Sequence, residues 1–235
     1  MKKHIRILLL GVVAILALGT LTACSSGTKE ATDTTEASGT SAAPAPATAS
    51  PFPQSAKYIA DVKSADGKPM VIGIAVDGTQ IAAYACNGTD DEAWFFGKQT
   101  DGKLDITGKF RDTLNASYDG KDVVGALTMN GVSYKFNAPQ VADPAGMYTA
   151  VLDGVRASWV VRPDNTATGV QFNGISGRDF EQAELQQLKE QQFREQVRNK
   201  RLLQQASQLQ FGTWSSTING RPVVASLVTG NTTFG

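Results

Sequence analysis

Nine Asp-Gly or Asn-Gly pairs punctuate the chain, starting at Asp66, Asp77, Asn87, Asp101, Asp119, Asn130, Asp153, Asn173 and Asn219. Aspartate and asparagine tolerate the left-handed backbone region and glycine enters it freely, so such pairs suit the tight turns of β-hairpins. The segments between them, among them 71–76, 80–86, 93–96, 104–106, 123–129, 132–136, 147–152 and 157–161, have strand length and strand composition. Val132, Tyr134 and Phe136 alternate with Ser133 and Lys135, which predicts one buried and one wet face. Nine or ten short antiparallel strands form a meander. Such a meander must close as a small barrel or fold as a sandwich to bury its apolar face and limit its edges. The pairs keep no fixed period, which argues against propeller and solenoid folds.

One stretch breaks the pattern. Residues 179–210 contain no glycine, no proline and a single β-branched residue, Val197, and predict one long inserted α-helix. Asp179 with Gln182 fits a capping box and Gly212 follows the far end. Acidic Asp179, Glu181 and Glu184 come early and basic Arg194, Arg198, Lys200 and Arg201 late, as the helix dipole prefers. Phe180, Leu188, Leu202, Ala206 and Leu209 share one side, whereas Phe193 and Val197 point elsewhere. The expectation is a helix docked by its two ends, with a protein partner on this helix as the alternative. Residues 213–218 and 222–228, around Asn219-Gly220, predict a terminal hairpin.

The amino-terminal end carries a different signal. Lys2, Lys3 and Arg6 form a basic start, an almost unbroken apolar run covers 8–21, and Leu21-Thr22-Ala23-Cys24 closes it. This is the layout of a secretory signal, too short and wrongly flanked for a membrane span. Those four residues resemble the lipobox of bacterial lipoproteins. The resemblance implies a diacylglyceryl thioether on Cys24, cleavage between Ala23 and Cys24, and acylation of the new amino terminus. Two or three acyl chains anchor firmly where one does not. The organisation expected is a signal peptide at 1–23, a lipidated Cys24 with an Ala/Thr/Ser/Pro-rich disordered tether to residue 56, and one β-rich domain over 57–235. The domain would stand on the extracytoplasmic face of a cell membrane.

Signal removal takes Lys2, Lys3, Arg6 and His4, the sole histidine, out of a chain with 22 basic and 22 acidic side chains, leaving a net charge of about −3. That balance argues against nucleic acid as a partner, since phosphate binding needs concentrated basic surface. Without histidine neither a Ser-His-Asp nor a Cys-His pair can form, nor a histidine-bearing zinc site. Cys86 would be the one remaining thiol, read here as a small apolar core residue. No cofactor, metal or catalytic residue is expected. Asp90, Asp91 and Glu92 cluster after Asn87 and read as a solvated turn rather than a calcium loop. Asp91, Glu92, Asp105, Asp112 and Asp122 are available for carboxylate catalysis, but nothing singles out a pair. Trp94, Trp159 and Trp214, with Tyr84, Tyr134 and Tyr148, read as core, with an apolar cavity or a carbohydrate surface as alternatives.

Tyr84-Ala85-Cys86-Asn87-Gly88, Glu92-Ala93-Trp94 and Pro144-Ala145-Gly146-Met147-Tyr148 resemble segments of uncharacterised exported proteins of actinobacteria. Arg156-Ala157-Ser158-Trp159-Val160-Val161 and Ile218-Asn219-Gly220-Arg221-Pro222-Val223 fit the same pattern, which spans about 57–230 apart from the predicted helix. The resemblance implies the compartment and a single β-domain, and no activity. The function expected is therefore non-enzymatic binding or a structural role at the membrane. The alternatives are a carrier holding an acyl chain or other apolar ligand in a barrel cavity, and a carboxylate-dependent cell-wall hydrolase.

Overall fold

The computed structural model describes residues 49–177 and 186–234. Eight of the nine Asx-Gly pairs lie at turns between consecutive strands. At Asn130-Gly131 both residues have positive φ, 49° and 78°, as a two-residue hairpin turn of matching twist requires. The ninth pair, Asn173-Gly174, lies inside a strand, where the pairing register slips between Phe172 and Ile175.

The architecture is mainly β, built as stacked antiparallel layers. The first sheet holds β1 (Ser55–Lys63), β2 (Pro69–Asp77), β3 (Gln80–Cys86) and β4 (Glu92–Lys98), with the two-residue β9 (Gln140–Val141) beside β1. The second is a four-strand meander of β5 (Lys103–Thr107), β6 (Thr113–Tyr118), β7 (Val123–Met129) and β8 (Val132–Ala138). The third orders β13 (Arg201–Gln205), β12 (Ala167–Ile175), β11 (Val155–Val161), β10 (Gly146–Leu152) and β16 (Ser226–Leu227). A hairpin of β14 (Ser215–Ile218) and β15 (Arg221–Val224) caps it.

Between barrel and sandwich, the layers decide for the sandwich. The first two sheets are separate hydrogen-bonded sheets. The chain turns one corner between them where β8 runs on into β9 and Ile59 N donates to Pro139 O at 3.2 Å. The space between them is filled by side chains, among them Tyr58, Ile72, Ile74, Phe95, Leu114 and Leu127. The opposite face of the first sheet packs on the third through Val71, Ala75, Ala82, Tyr84, Met147, Val160 and Val170. A sheet covered on both faces explains why β2 and β3 read as nearly continuous apolar runs, while β8, wet on one side, alternates. Each large apolar side chain so enclosed contributes roughly 1.5–3 kcal/mol.

The long helix is a correction. Residues 178–185 lie outside the described residues. Beyond them the helical part is short, α1 (Glu190–Gln196), followed by a turn of 3-10 helix at Arg198–Lys200. Residues 201–205 are instead strand β13, paired with β12 through Leu203 and Phe172. Their helix propensity is overridden because β12 offers a row of backbone groups to pair, and tertiary hydrogen bonding outweighs a few tenths of a kcal/mol per residue. The buried residues of this stretch match the expected face only in part: Ala206 and Leu209 are buried, but Phe193 and Val197 also go inward and Leu202 is exposed. Ser176 N donates to Lys200 O at 2.8 Å, so the excursion leaves and rejoins the sheet at one place.

Packing also starts before Lys57. Phe52 stacks on Tyr118 with ring centroids 5.0 Å apart, and Ser50 N donates to Tyr118 O at 2.7 Å. The last residues of the expected tether therefore belong to the folded layer. Residues 1–23 and Cys24, with the rest of the tether to 48, lie outside the described residues.

Candidate functional site

The loop between β3 and β4 is tied internally. Asn87 Oδ1 accepts from the backbone N–H of Thr89, Asp90 and Asp91 at 2.9–3.0 Å, and Asn87 Nδ2 donates to Asp90 Oδ1 at 2.8 Å. These bonds hold the Asp90 carboxyl below its usual range, with Asn87 the largest cause. Among the described residues no three acidic, cysteine or histidine side chains gather to hold a metal ion. The loop's work is geometric, because it delivers Asp91 and Glu92 inward.

There the two acids join a buried charge network. Asp91 Oδ1 accepts from Arg198 Nη2 at 2.9 Å and from Arg201 Nη2 at 2.8 Å. Arg201 Nη1 donates to the Glu92 carbonyl at 2.6 Å, and its Nε donates to the Arg198 carbonyl at 3.0 Å. Arg198 Nε donates to Asp112 Oδ1 at 3.0 Å, which also accepts from Asn130 N at 3.0 Å. Arg156 Nη2 donates to Glu92 Oε1 at 2.6 Å. Three carboxylates face three guanidiniums drawn from β4 and its loop, the β5–β6 loop, β11, β13 and the turn after α1. Buried charge survives only when paired in this way.

Beside the network lies a cleft of about 280 Å³. Its walls are aromatic. Trp94 and Phe96 stack at 5.4 Å, and Phe234 meets them edge-on at 4.7 and 5.2 Å. The Arg156 guanidinium sits 4.7 Å from the Phe234 ring and 5.3 Å from Phe172, and that of Arg201 sits 4.7 Å from Phe110. Glu92 and Asp112 line the same cleft. Burial raises the pKa of both carboxyls; Arg156 opposes it most at Glu92 and Arg198 most at Asp112.

Hydrogen-bond accounting singles out this place. Among the described residues, five buried side-chain polar atoms have no protein partner, and four of them belong to residues lining this cleft: Glu92 Oε2, Trp94 Nε1, Asp112 Oδ2 and Arg156 Nε. Buried polar groups are nearly always satisfied, so a cluster of exceptions calls for a cause. The Tyr84 hydroxyl lies between two acceptors, reaching Ser158 O at 3.5 Å and also favouring the Glu92 carboxylate by a hydrogen bond. Four larger clefts lie across the surface, of about 310, 360, 510 and 710 Å³. In the two largest the principal polar groups are spent: Arg198 and Asp91 within the network, and Trp159 Nε1 on Ser207 O at 3.0 Å.

Of the carboxylates available in the sequence, the structure thus brings Glu92 and Asp112 into one cleft with Asp91 behind them. Asp105 is exposed on β5, and Asp122 accepts from Asn137 Nδ2 at 2.9 Å on the surface. Trp159 and Trp214 lie apart from Trp94, the latter stacked on Tyr148 at 4.3 Å. Cys86 is fully buried in the layer between the first and third sheets, and burial pushes its thiol up to about 12. The arginines were missed from sequence, where Arg198 and Arg201 looked like a cationic helix end. Strand alternation would have flagged Arg156, set one residue ahead of the apolar run 157–161. No protein-family model, no curated protein and no solved structure matches the chain.

Proposed function

We propose that this chain is an extracytoplasmic binding domain, held to a membrane by lipid on Cys24, with its ligand seated in the aromatic cleft over Glu92 and Asp112. The observation that carries the binding reading is one small cleft whose lining joins aromatic rings to four residues that each hold a buried polar atom without a protein partner. The cleft stands in part on β4, β11 and β13, strands of packed sheets, with the β5–β6 loop and Phe234 completing its walls. No described helix is long and apolar enough to cross a membrane. The membrane assignment rests on the Leu21–Cys24 pattern and the acyl-chain energetics. Its test is metabolic labelling with palmitate and membrane fractionation. Wild type should be labelled and sediment with membranes, and Cys24→Ser should lose both. An unlabelled wild type would overturn the anchor.

The carrier alternative draws less support. The space between the first two sheets is occupied by core side chains, and the cleft floor is ionic, which opposes an acyl tail. Native mass spectrometry of the full chain decides between them, since a co-purifying lipid beyond the covalent one would favour the carrier.

One observation favours the hydrolase as a second reading: two buried carboxyls, both with raised pKa, line one cleft. Each is also bound by an arginine, which opposes the protonation a general acid needs. Release of reducing sugar from cell-wall glycan, abolished in Asp112→Asn, would promote this reading over simple binding.

A further inference from the structure

We infer that Asn130 is a site of self-modification, the one Asn-Gly pair of four whose side-chain amide is free to cyclise in the folded protein. Asparagine is thermolabile, and most so before glycine, whose nitrogen approaches the side-chain carbonyl with no Cβ beside it. Four such pairs occur, at Asn87, Asn130, Asn173 and Asn219. The sequence treats them alike and the structure does not. Asn87 Oδ1 accepts from three backbone N–H groups, and its Nδ2 donates to Asp90. Gln171 Nε2 donates to Asn173 Oδ1 and to Asn219 Oδ1, each at 2.7 Å. Asn219 Nδ2 also donates to Asn173 Oδ1 at 3.4 Å. Among the described residues the exposed Asn130 side chain is held by no such bond.

Asn130 and Asn219 make a matched comparison. Each begins a two-residue hairpin loop, each has φ of 49°, and the glycines that follow stand at 78° and 77°. All four residues are exposed. Backbone form and solvent access therefore cancel, and the Gln171 tether distinguishes the two. Cyclisation must first break such bonds, and losing two of them slows a step by roughly tenfold.

The chemistry needs only water. Solvent base takes the amide proton of Gly131, the nitrogen bonds to Asn130 Cγ, and the Cγ–Nδ2 bond breaks. Nδ2 leaves as ammonia with a proton from water. Water then opens the cyclic imide at either carbonyl, giving aspartate or isoaspartate, and nothing is oxidised or reduced. The product touches the buried network, because Asn130 N donates to Asp112 Oδ1 at 3.0 Å and Asp112 holds Arg198. Isoaspartate lengthens the main chain inside the two-residue loop and so misplaces that donor.

The test incubates the full chain for days in mildly alkaline buffer with an uncharged detergent, folded or in urea. Peptide mass spectrometry follows conversion at each pair and separates aspartate from isoaspartate. In the folded protein Asn130 should convert roughly tenfold faster than each of the others, and in urea the four rates should converge. Gln171→Met, which removes the shared donor, should raise Asn219 towards the rate of Asn130 and leave Asn130 unchanged. A folded-state order that puts another pair first, or the same order persisting in urea, would overturn the inference. So would a Gln171→Met protein, folded by circular dichroism, in which Asn219 stays slow; should that variant not fold, the wild-type order decides alone. The purified isoaspartate form should unfold at lower urea than Asn130→Asp, and equal midpoints would sever the link to Asp112.

Discussion

Arg198 and Asp112 stand 86 residues apart in sequence and meet at 3.0 Å with both side chains about 95 % buried or more. Their bond ties the turn after α1 to the β5–β6 loop, and through Asp91 to the loop entering β4. Removing one member of such a pair strands a charge in a low-dielectric interior. Asp112→Ala or Arg198→Met should therefore cost about 3–5 kcal/mol, whereas Arg198→Met combined with Asp112→Leu should recover much of the loss. Urea unfolding of the three variants checks this. Single variants within about 1 kcal/mol of wild type would show that the pair is not buried as described.

Acidity acts on Glu92 in a definite direction. Its folded pKa lies above the ordinary 4.5, burial being the main cause and Arg156 the main opponent. The folded state therefore holds the proton more tightly than the unfolded chain. Its stability contribution is fully present below about 4.5 and falls as pH rises through the folded pKa. The stability advantage of wild type over Glu92→Gln should be widest at low pH and narrow on the way to neutrality. Thermal melts of both proteins across that range give the slope, and a gap that widens with pH would contradict the burial.

The contact between the first and third sheets is close at Gly73. A Cβ there would come within 2.5 Å of Met147 Cγ and 3.1 Å of its Sδ. Gly73→Ala should thus destabilise by about 1–3 kcal/mol, as overpacking of a closed core does. Gly73→Ala with Met147→Val should restore part of it. Additive effects of the two substitutions would mean that they do not touch.

Cys86 should be chemically silent in the native state. With its thiol pushed up to about 12 and its side chain wholly enclosed, almost no thiolate exists at pH 8. Iodoacetamide followed by peptide mass analysis should leave Cys86 unmodified until denaturant is added. Labelling at the rate of a free thiol would place it at the surface.

The thiol, the hairpins and the class of fold were legible in the chain itself. An Asx-Gly pair is a local device: its preference for positive φ does not depend on what surrounds it, so Asn130-Gly131 turns where it stands and sets the register of β7 on β8. Alternation along β8 likewise shows its buried face without reference to any partner. Sandwich against barrel was undecided in the sequence, because closure depends on whether edges pair across space. Residues 201–205 misled for a related reason. Their composition favours a helix in isolation, and only the edge of β12 makes a strand the better state. The cleft was beyond local reading altogether. Glu92, Asp112, Arg156, Arg198 and Arg201 are scattered over more than a hundred residues and look like ordinary surface charges one by one. Local preferences act over a few bonds, whereas the pairing of buried charge acts through whatever the layers bring together, so the turns were set by the sequence and the site by the tertiary fold.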